Sequence, residues 1–319
     1  MWVELFCGLV IYRLFRRFFY DDDILTADSE VLFSVADRIG KLYDGKVYTG
    51  LRIPDADTGL RQNIDMVLVT KGEAVVISVQ NLSGFVSIDV DGSWVCTAGN
   101  RHKTEHHADP VADTKRQVAI LESYLEQRGT ALPEGYLSFK IVCPNPNFCT
   151  MDSNYFPREV ITYDQWKQLK PEPKSMFSGW IKGAFRTGKK EMQESINQKL
   201  NFILSTAPIW DRLELKGNKY ILGEFLEFKG KKDDVQALTV IRRSKVSRLI
   251  IQKSSMFGIA HSKLQVLYSP RDYRSEGASG SEWKEITVRS NTEVLFWPQN
   301  STKVCKFKLS SFISALLSA

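Results

Sequence analysis

The spacing of apolar and polar positions changes several times along the chain, and each change marks an element. In "ADSEVLFSVADRIGKLY", Val31, Val35, Ile39 and Leu42 recur at helical spacing behind an Asp28 or Ser29 cap, which predicts a helix with Glu30 in its first turn. "KVYTGLRIPD" reads as a short strand ended by a proline. From Ile64 to Gly84, "IDMVLVTKGEAVVISVQNLSG" is two apolar runs about Lys71-Gly72, the pattern of an antiparallel hairpin, and "GFVSIDVDGSWVC" is a second hairpin with an Asp-Gly turn at Asp91-Gly92. "DPVADTKRQVAILESYLEQRG" is a helix closed by Gly129, "YLSFKIVCP" a buried strand, and "EVITYDQW" a strand running into a helix. The order α-β-β-β-β-α-β-β predicts an α/β core with a mixed sheet.

Beyond that core, Pro171 and Pro173 break the chain before a stretch in which Phe177, Trp180, Ile181 and Phe185 interleave with Lys182, Arg186, Lys189 and Lys190. A helix from Lys189 to Ser205 follows. From Trp210 the period becomes that of strands ("KYILGEFLEFKG", "VSRLIIQ", "SKLQVLYSP", "WKEITVRSNTEVLFWP", "KVCKFKLSSFIS"), interrupted by a disordered-looking "RSEGASGSE". This half is expected to be a separate all-β domain, a barrel or a sandwich. The organisation is therefore an N-terminal segment at 1–20, the α/β core at 24–168, a basic aromatic helical linker at 169–208 and a basic β-rich domain at 209–319.

The N-terminus, "MWVELFCGLVIYRLFRRFFYDDD", is apolar from Trp2 to Tyr12 apart from Glu4. A spanning helix needs about 20 apolar residues, so the run is too short to cross a bilayer. It also lacks the small-residue cleavage site of a secretory signal. The pattern fits an amphipathic interfacial helix, with Trp2, Leu5, Phe6, Leu9 and Phe15 entering the interface and Arg13, Arg16 and Arg17 meeting anionic headgroups. The other reading is a helix docked on the protein's own surface.

Charge sharpens this division. The net charge of +6 conceals 15 basic and 21 acidic side chains in residues 1–157 against 28 and 16 in residues 158–319. An anionic partner, nucleic acid or a membrane surface, is expected for the C-terminal half, with Arg242, Arg243, Lys245 and Arg248 of "IRRSKVSR" as the densest cluster. The five cysteines are odd in number and scattered without a CxxC pair, which argues for free thiols in a reducing, intracellular compartment. Cys96, His102, His106 and His107 crowd a segment read as a loop, but their spacing fits no zinc template.

Within the first hairpin, a two-residue turn at Lys71-Gly72 pairs Thr70 with Glu73 and, counting back, sets Asp65 opposite Ser78. Alternation puts Ser78 and Gln80 on one face and directs Ile77 and Val79 into the core. An acid followed on the next strand by an acid-x-lysine would bind divalent metal and activate a water. Here those two positions are Ser78 and Gln80.

"SEVLFSVADRI", "NIDMVLVTKGEAVVISVQNLSGFV", the tryptophan of "DGSWV" and "DPVADTKRQ" together resemble the nuclease-related domain (NERD), a branch of the restriction-endonuclease-like PD-(D/E)xK superfamily, over residues 28–127. Glu30, Asp65, Asn81, Gly84, Pro110 and Gln117 match that family's pattern. Ser78 stands where the family has glutamate, Gln80 where it has lysine, and Asp109 where it has the asparagine of N-P. The resemblance implies a restriction-endonuclease-like core and a remnant site of Glu30, Asp65, Ser78, Gln80 and Gln117, with Asp65 as the metal ligand that remains.

The expected function is a catalytically degenerate adaptor, associated with a membrane or with nucleic acid, that needs no cofactor. The alternative is an active Mg²⁺-dependent nuclease whose site is rebuilt from Asp65, Glu30 and a migrated carboxylate, Asp89 or Glu73. Its expected place is the cytoplasmic face of a membrane, because three arginines behind an apolar run resist translocation. Fused to a reporter, residues 1–20 should carry it to membranes; a reporter that stays soluble overturns the interfacial reading. Reversing Arg13, Arg16 and Arg17 to glutamate should weaken anionic-liposome binding, each arginine contributing about 1 kcal/mol.

Overall fold

The computed structural model describes residues 28–98, 103–151, 155–170, 190–217, 219–243, 246–253, 263–270, 283–299 and 301–318. Residues 1–20, 171–189 and 274–282, to which an interfacial helix, an aromatic-basic stretch and a disordered segment were assigned above, lie outside them. The chain forms two compact units, residues 31–209 and residues 210–319, with Ser29 and Glu30 belonging to the second.

In the first unit, helix α1 (residues 28–43) buries Leu32, Val35, Ala36, Ile39 and Tyr43, the stripe expected of an amphipathic helix. It ends at Asp44, whose φ of 48° is left-handed, and at Gly45, where a Cβ would lie 2.6 Å from Leu68 Cδ1. Only glycine lets the chain pass so close to the sheet. That sheet has the order β1 (Lys46–Pro54), β2 (Arg61–Val69), β3 (Ala74–Val79), β7 (Leu137–Val142) and β9 (Val160–Ile161), the last running into helix α3 (Tyr163–Gln168). The first three strands are antiparallel, while β3, β7 and β9 run parallel, which is the mixed sheet expected from the sequence. The first hairpin keeps its expected register: Met66 pairs with Ile77, and Thr70 N–H donates to Glu73 O at 3.0 Å across Lys71-Gly72.

Strand β3 is apolar from Ala74 to Ile77, and all four residues have no exposure, so both faces of the strand are dry. This corrects the expectation that only the Ile77 face meets core. Ala74 and Val76, on the face that also carries Ser78, pack in a cluster with Leu121, Tyr124 and Leu125 of α2 (Pro110–Gln127) and with Leu200, Ile203 and Leu204 of α4 (Lys190–Thr206). A central strand of a mixed sheet is covered on both sides, hence its continuous rather than alternating hydrophobicity.

A second, four-stranded sheet has the order β6 (Lys103–His107), β5 (Trp94–Ala98), β4 (Gly84–Ile88) and β8 (Phe148–Cys149). Residues 103–107 thus form an edge strand where the His-rich composition suggests a loop; pairing with β5 supplies the partners that local sequence does not reveal. The turn between β4 and β5 holds Val90, Asp91 and Gly92, one residue more than a two-residue Asp-Gly turn, with Gly92 at φ 86°. The inward side chains, Val86, Trp94 and Cys96, pack with Ile141, Phe148 and Phe156, and the Trp94 and Phe156 rings meet edge-on at 5.1 Å.

Helix α4, which the sequence places in a linker, belongs to the first unit's core. Tyr48 Oη donates to Asn201 Oδ1 at 2.6 Å, and Asn197 Nδ2 donates to Thr70 O at 2.6 Å.

The second unit is one antiparallel sheet of eight strands in the order β14 (Lys284–Arg289), β13 (Lys263–Pro270), β12 (Val246–Lys253), β17 (Phe312–Ser318), β10 (Asp211–Leu215), β11 (Lys219–Lys229), β15 (Glu293–Pro298) and β16 (Cys305–Lys308). Its strands share one apolar cluster. The all-β expectation is corrected by helix α5 (Lys232–Arg243), whose Leu238 and Ile241 are buried in that cluster. Asp211 is buried, and its carboxylate accepts the Phe225 N–H at 2.7 Å just past the Asp211–Gly223 pair that ends the β10–β11 ladder.

Leu204 is 1% exposed. Leu204→Ala should destabilise the unit of residues 31–209 by about 2–5 kcal/mol, read as a lowered urea midpoint at unchanged slope. An unchanged midpoint would show that α4 is not part of this core.

Candidate functional site

Asp65 sits on β2 one residue before the last ladder pair, Met66 with Ile77. On its other edge β3 bonds to β7, where Gln80 N–H donates to Val142 O at 2.9 Å. The Val79 N–H therefore faces β2, and Asp65 Oδ2 accepts it at 2.8 Å. The Ser78 hydroxyl approaches the same oxygen at 3.4 Å, and Gln80 Nε2 donates to Ser78 Oγ at 3.0 Å. Asp65, Ser78 and Gln80 thus form one hydrogen-bonded chain, with Ser78 buried and Asp65 and Gln80 half-buried.

This arrangement does not fit a divalent metal. A hard cation needs several oxygen ligands, preferably anionic ones, in place of its waters. Here one carboxylate oxygen already accepts from an amide and a hydroxyl, and the neighbouring strand supplies no second acid. Among the described residues no group of three or more His, Cys, Asp or Glu side chains could hold a metal ion. Glu73 cannot supply the missing acid, because it closes the turn at the other end of β3, about 16 Å of strand away from Ser78. Asp89 lies exposed in the β4–β5 turn, its Oδ1 accepting the Val90 N–H at 2.7 Å.

The other expected site residues stand on helices. Glu30 stands in the first turn of α1 with Oε1 enclosed and without a hydrogen-bond partner. Gln117 lies on the buried stripe of α2 with Thr114, Leu121 and Tyr124. Its Nε2 donates to Asp113 Oδ2 at 2.9 Å, while its Oε1 is buried without a partner. Arg116 bridges the same Asp113 to Gln62 of β2, at 2.9 and 3.2 Å. Asp109 has a local role: its carboxylate caps α2 by accepting the Val111 N–H at 2.8 Å, as an asparagine would.

Cys96 and His106 lie on opposite faces of their sheet. Cys96 Sγ donates to Ser83 O at 3.1 Å, and burial raises its thiol above the ordinary range, with Glu105 adding to the rise. His106 is exposed and His102 lies outside the described residues. Of the basic cluster, Arg242 and Arg243 end α5 and Arg248 lies on β12, their side chains undescribed, and Lys245 is outside the described residues. The interfacial set Trp2, Leu5, Phe6, Leu9, Arg13, Arg16 and Arg17 is outside as well; among the described residues no helix is long and apolar enough to cross a membrane.

The family model of the nuclease-related domain matches residues 27–143, from the start of α1 to the end of β7. That stretch is similar to a nuclease-related domain. No curated protein and no solved structure matches the chain. The matched span covers the Asp65 network and α2 but stops before α4, so the unit that contains it draws part of its core from residues beyond the match.

The sequence allows Asp65 to be satisfied by nearby backbone, as buried polar groups usually are, but does not single out the Val79 N–H as its partner. The turn fixes the register but not where the ladder stops: by sequence β2 could go on pairing past Asp65, and only the observed end at Met66–Ile77 leaves the Val79 N–H in need of an acceptor. Asp65→Ala should destabilise the unit by about 1–3 kcal/mol by orphaning that N–H, whereas Asp65→Asn, which keeps an acceptor, should cost less. Equal midpoints for the two variants in urea would remove this structural role.

Proposed function

We propose that this protein is a catalytically degenerate nuclease-related adaptor. Its α/β unit keeps a nuclease fold without the charges that cut. Its basic half engages nucleic acid through the phosphates, and residues 1–20 hold it at the cytoplasmic face of an anionic membrane. The observation that carries the loss of catalysis is the network Gln80–Ser78–Asp65, in which neutral groups occupy both positions that would bear the second carboxylate and the lysine. A phosphodiester-cleaving site needs an activated water and a cation near the scissile phosphate, effects that each contribute several kcal/mol. A serine hydroxyl and a carboxamide supply neither. The partner assignment is supported by the charge separation, since phosphate contacts are made by lysine and arginine and the excess of both lies in residues 158–319.

The test is purified full-length protein with Mg²⁺ or Mn²⁺ on single- and double-stranded DNA and RNA. No cleavage that depends on Asp65 should be seen. Divalent-dependent cutting by the wild type, lost in a folded Asp65→Asn variant, would overturn the reading. Ser78→Glu with Gln80→Lys should create calorimetrically measurable Mg²⁺ binding; its absence would mean that more than these two positions has been lost.

A further inference from the structure

Trp297 lies on β15 between the buried Phe296 and Pro298, yet it is 47% exposed. Its indole N–H donates to Ser301 O at 2.7 Å, in a tight turn where Ser301 N–H donates to Pro298 O at 3.1 Å and Lys303 N–H to Ser301 Oγ at 3.0 Å. The one polar atom of the side chain is thus satisfied by the protein, and the ring is held in place. An aromatic so fixed forgoes the gain of burial while presenting a rigid π surface.

Its surroundings are asymmetric. On one side Glu224 of β11 is its cross-strand neighbour. On the other, one step beyond the Phe296–Cys305 pair, Val304 is 49% exposed, and Lys303, Lys306 and Lys308 of the sheet's edge are all exposed. Residues 210–319 carry 19 basic and 11 acidic side chains. A ring with an apolar side chain across from it and Lys303 and Lys306 on either side of that neighbour along the chain matches a base to be stacked and a phosphate chain to be neutralised, and Glu224 keeps that chain on the β16 side.

We infer that Trp297 is a stacking site for an unpaired base of single-stranded nucleic acid, with Lys303 and Lys306 contacting the adjacent phosphates. The inference rests on the nucleic-acid reading above and locates it on the outer face of the eight-stranded sheet rather than at the Arg242–Arg248 cluster. Stacking is sequence-tolerant, because every base has a π face.

The experiment is fluorescence anisotropy of a labelled oligothymidylate with the full-length chain over a salt series, beside co-sedimentation with vesicles containing anionic phospholipid. Trp297→Ala should weaken oligonucleotide binding about tenfold or more while leaving the salt slope unchanged, and Trp297→Phe should keep most of the affinity. Lys303→Ala with Lys306→Ala should flatten the slope. Wild-type affinity in Trp297→Ala overturns the stacking site while leaving nucleic-acid binding intact. Binding to vesicles that Trp297→Ala abolishes, with oligonucleotide binding untouched, assigns the ring to a membrane and overturns it too. No oligonucleotide binding by the wild type even at low salt overturns the nucleic-acid reading itself.

Discussion

Strand β3 is the constraint on which the first unit depends. Its residues from Ala74 to Ile77 are wholly excluded from water on both faces, so every backbone group of the strand needs a protein partner. Strand β7 supplies partners along one edge and β2 along the other, until the β2 ladder stops at Met66. There the Asp65 carboxylate takes the Val79 N–H. An acid in a greasy strand is thus a backbone partner before it is anything else, and this requirement holds whatever happens to the chemistry around it. It accounts physically for a site that keeps its aspartate while serine and glutamine fill the neighbouring positions.

The neutral partners change what that aspartate can do. In a metal site the carboxylate oxygens face a cation; here one oxygen faces the protons of an amide and a hydroxyl, and Gln80 completes the chain by donating to Ser78. The same unit extends past the span that the family model matches. Helix α4 fills the sheet face beside α2, and its asparagines bond to Tyr48 and to the turn carbonyl of Thr70, so a segment whose composition suggests a connector is part of the core.

The second unit solves a different problem. Eight antiparallel strands share one dry face, plugged by Leu238 and Ile241 of α5, which leaves the other face to carry charge. Lysines on the edge strand β16 also guard against unwanted strand pairing, a common device on exposed edges. Trp297 on β15 is large, aromatic, exposed and held by its own turn.

Local pattern was enough for the elements whose signals are local. The 3.6-residue stripe of α1, the turn at Lys71-Gly72 with its register, the Gly129 stop of α2 and the nuclease-related resemblance all follow from residues near one another in the chain. The pairing of Asp65 with Ser78 also belongs here, because a hairpin's register is set by its turn. What required tertiary structure was everything set by distant partners. Residues 103–107 become a strand only because β5 lies beside them, α5 is a helix inside a run of strands because the sheet's apolar face needs a cover, and α4 joins the core through contacts with β1 more than 140 residues earlier. The role of Asp65 divides along the same line: sequence placed the acid, and only the end of the β2 ladder decided that its first duty is to a backbone N–H.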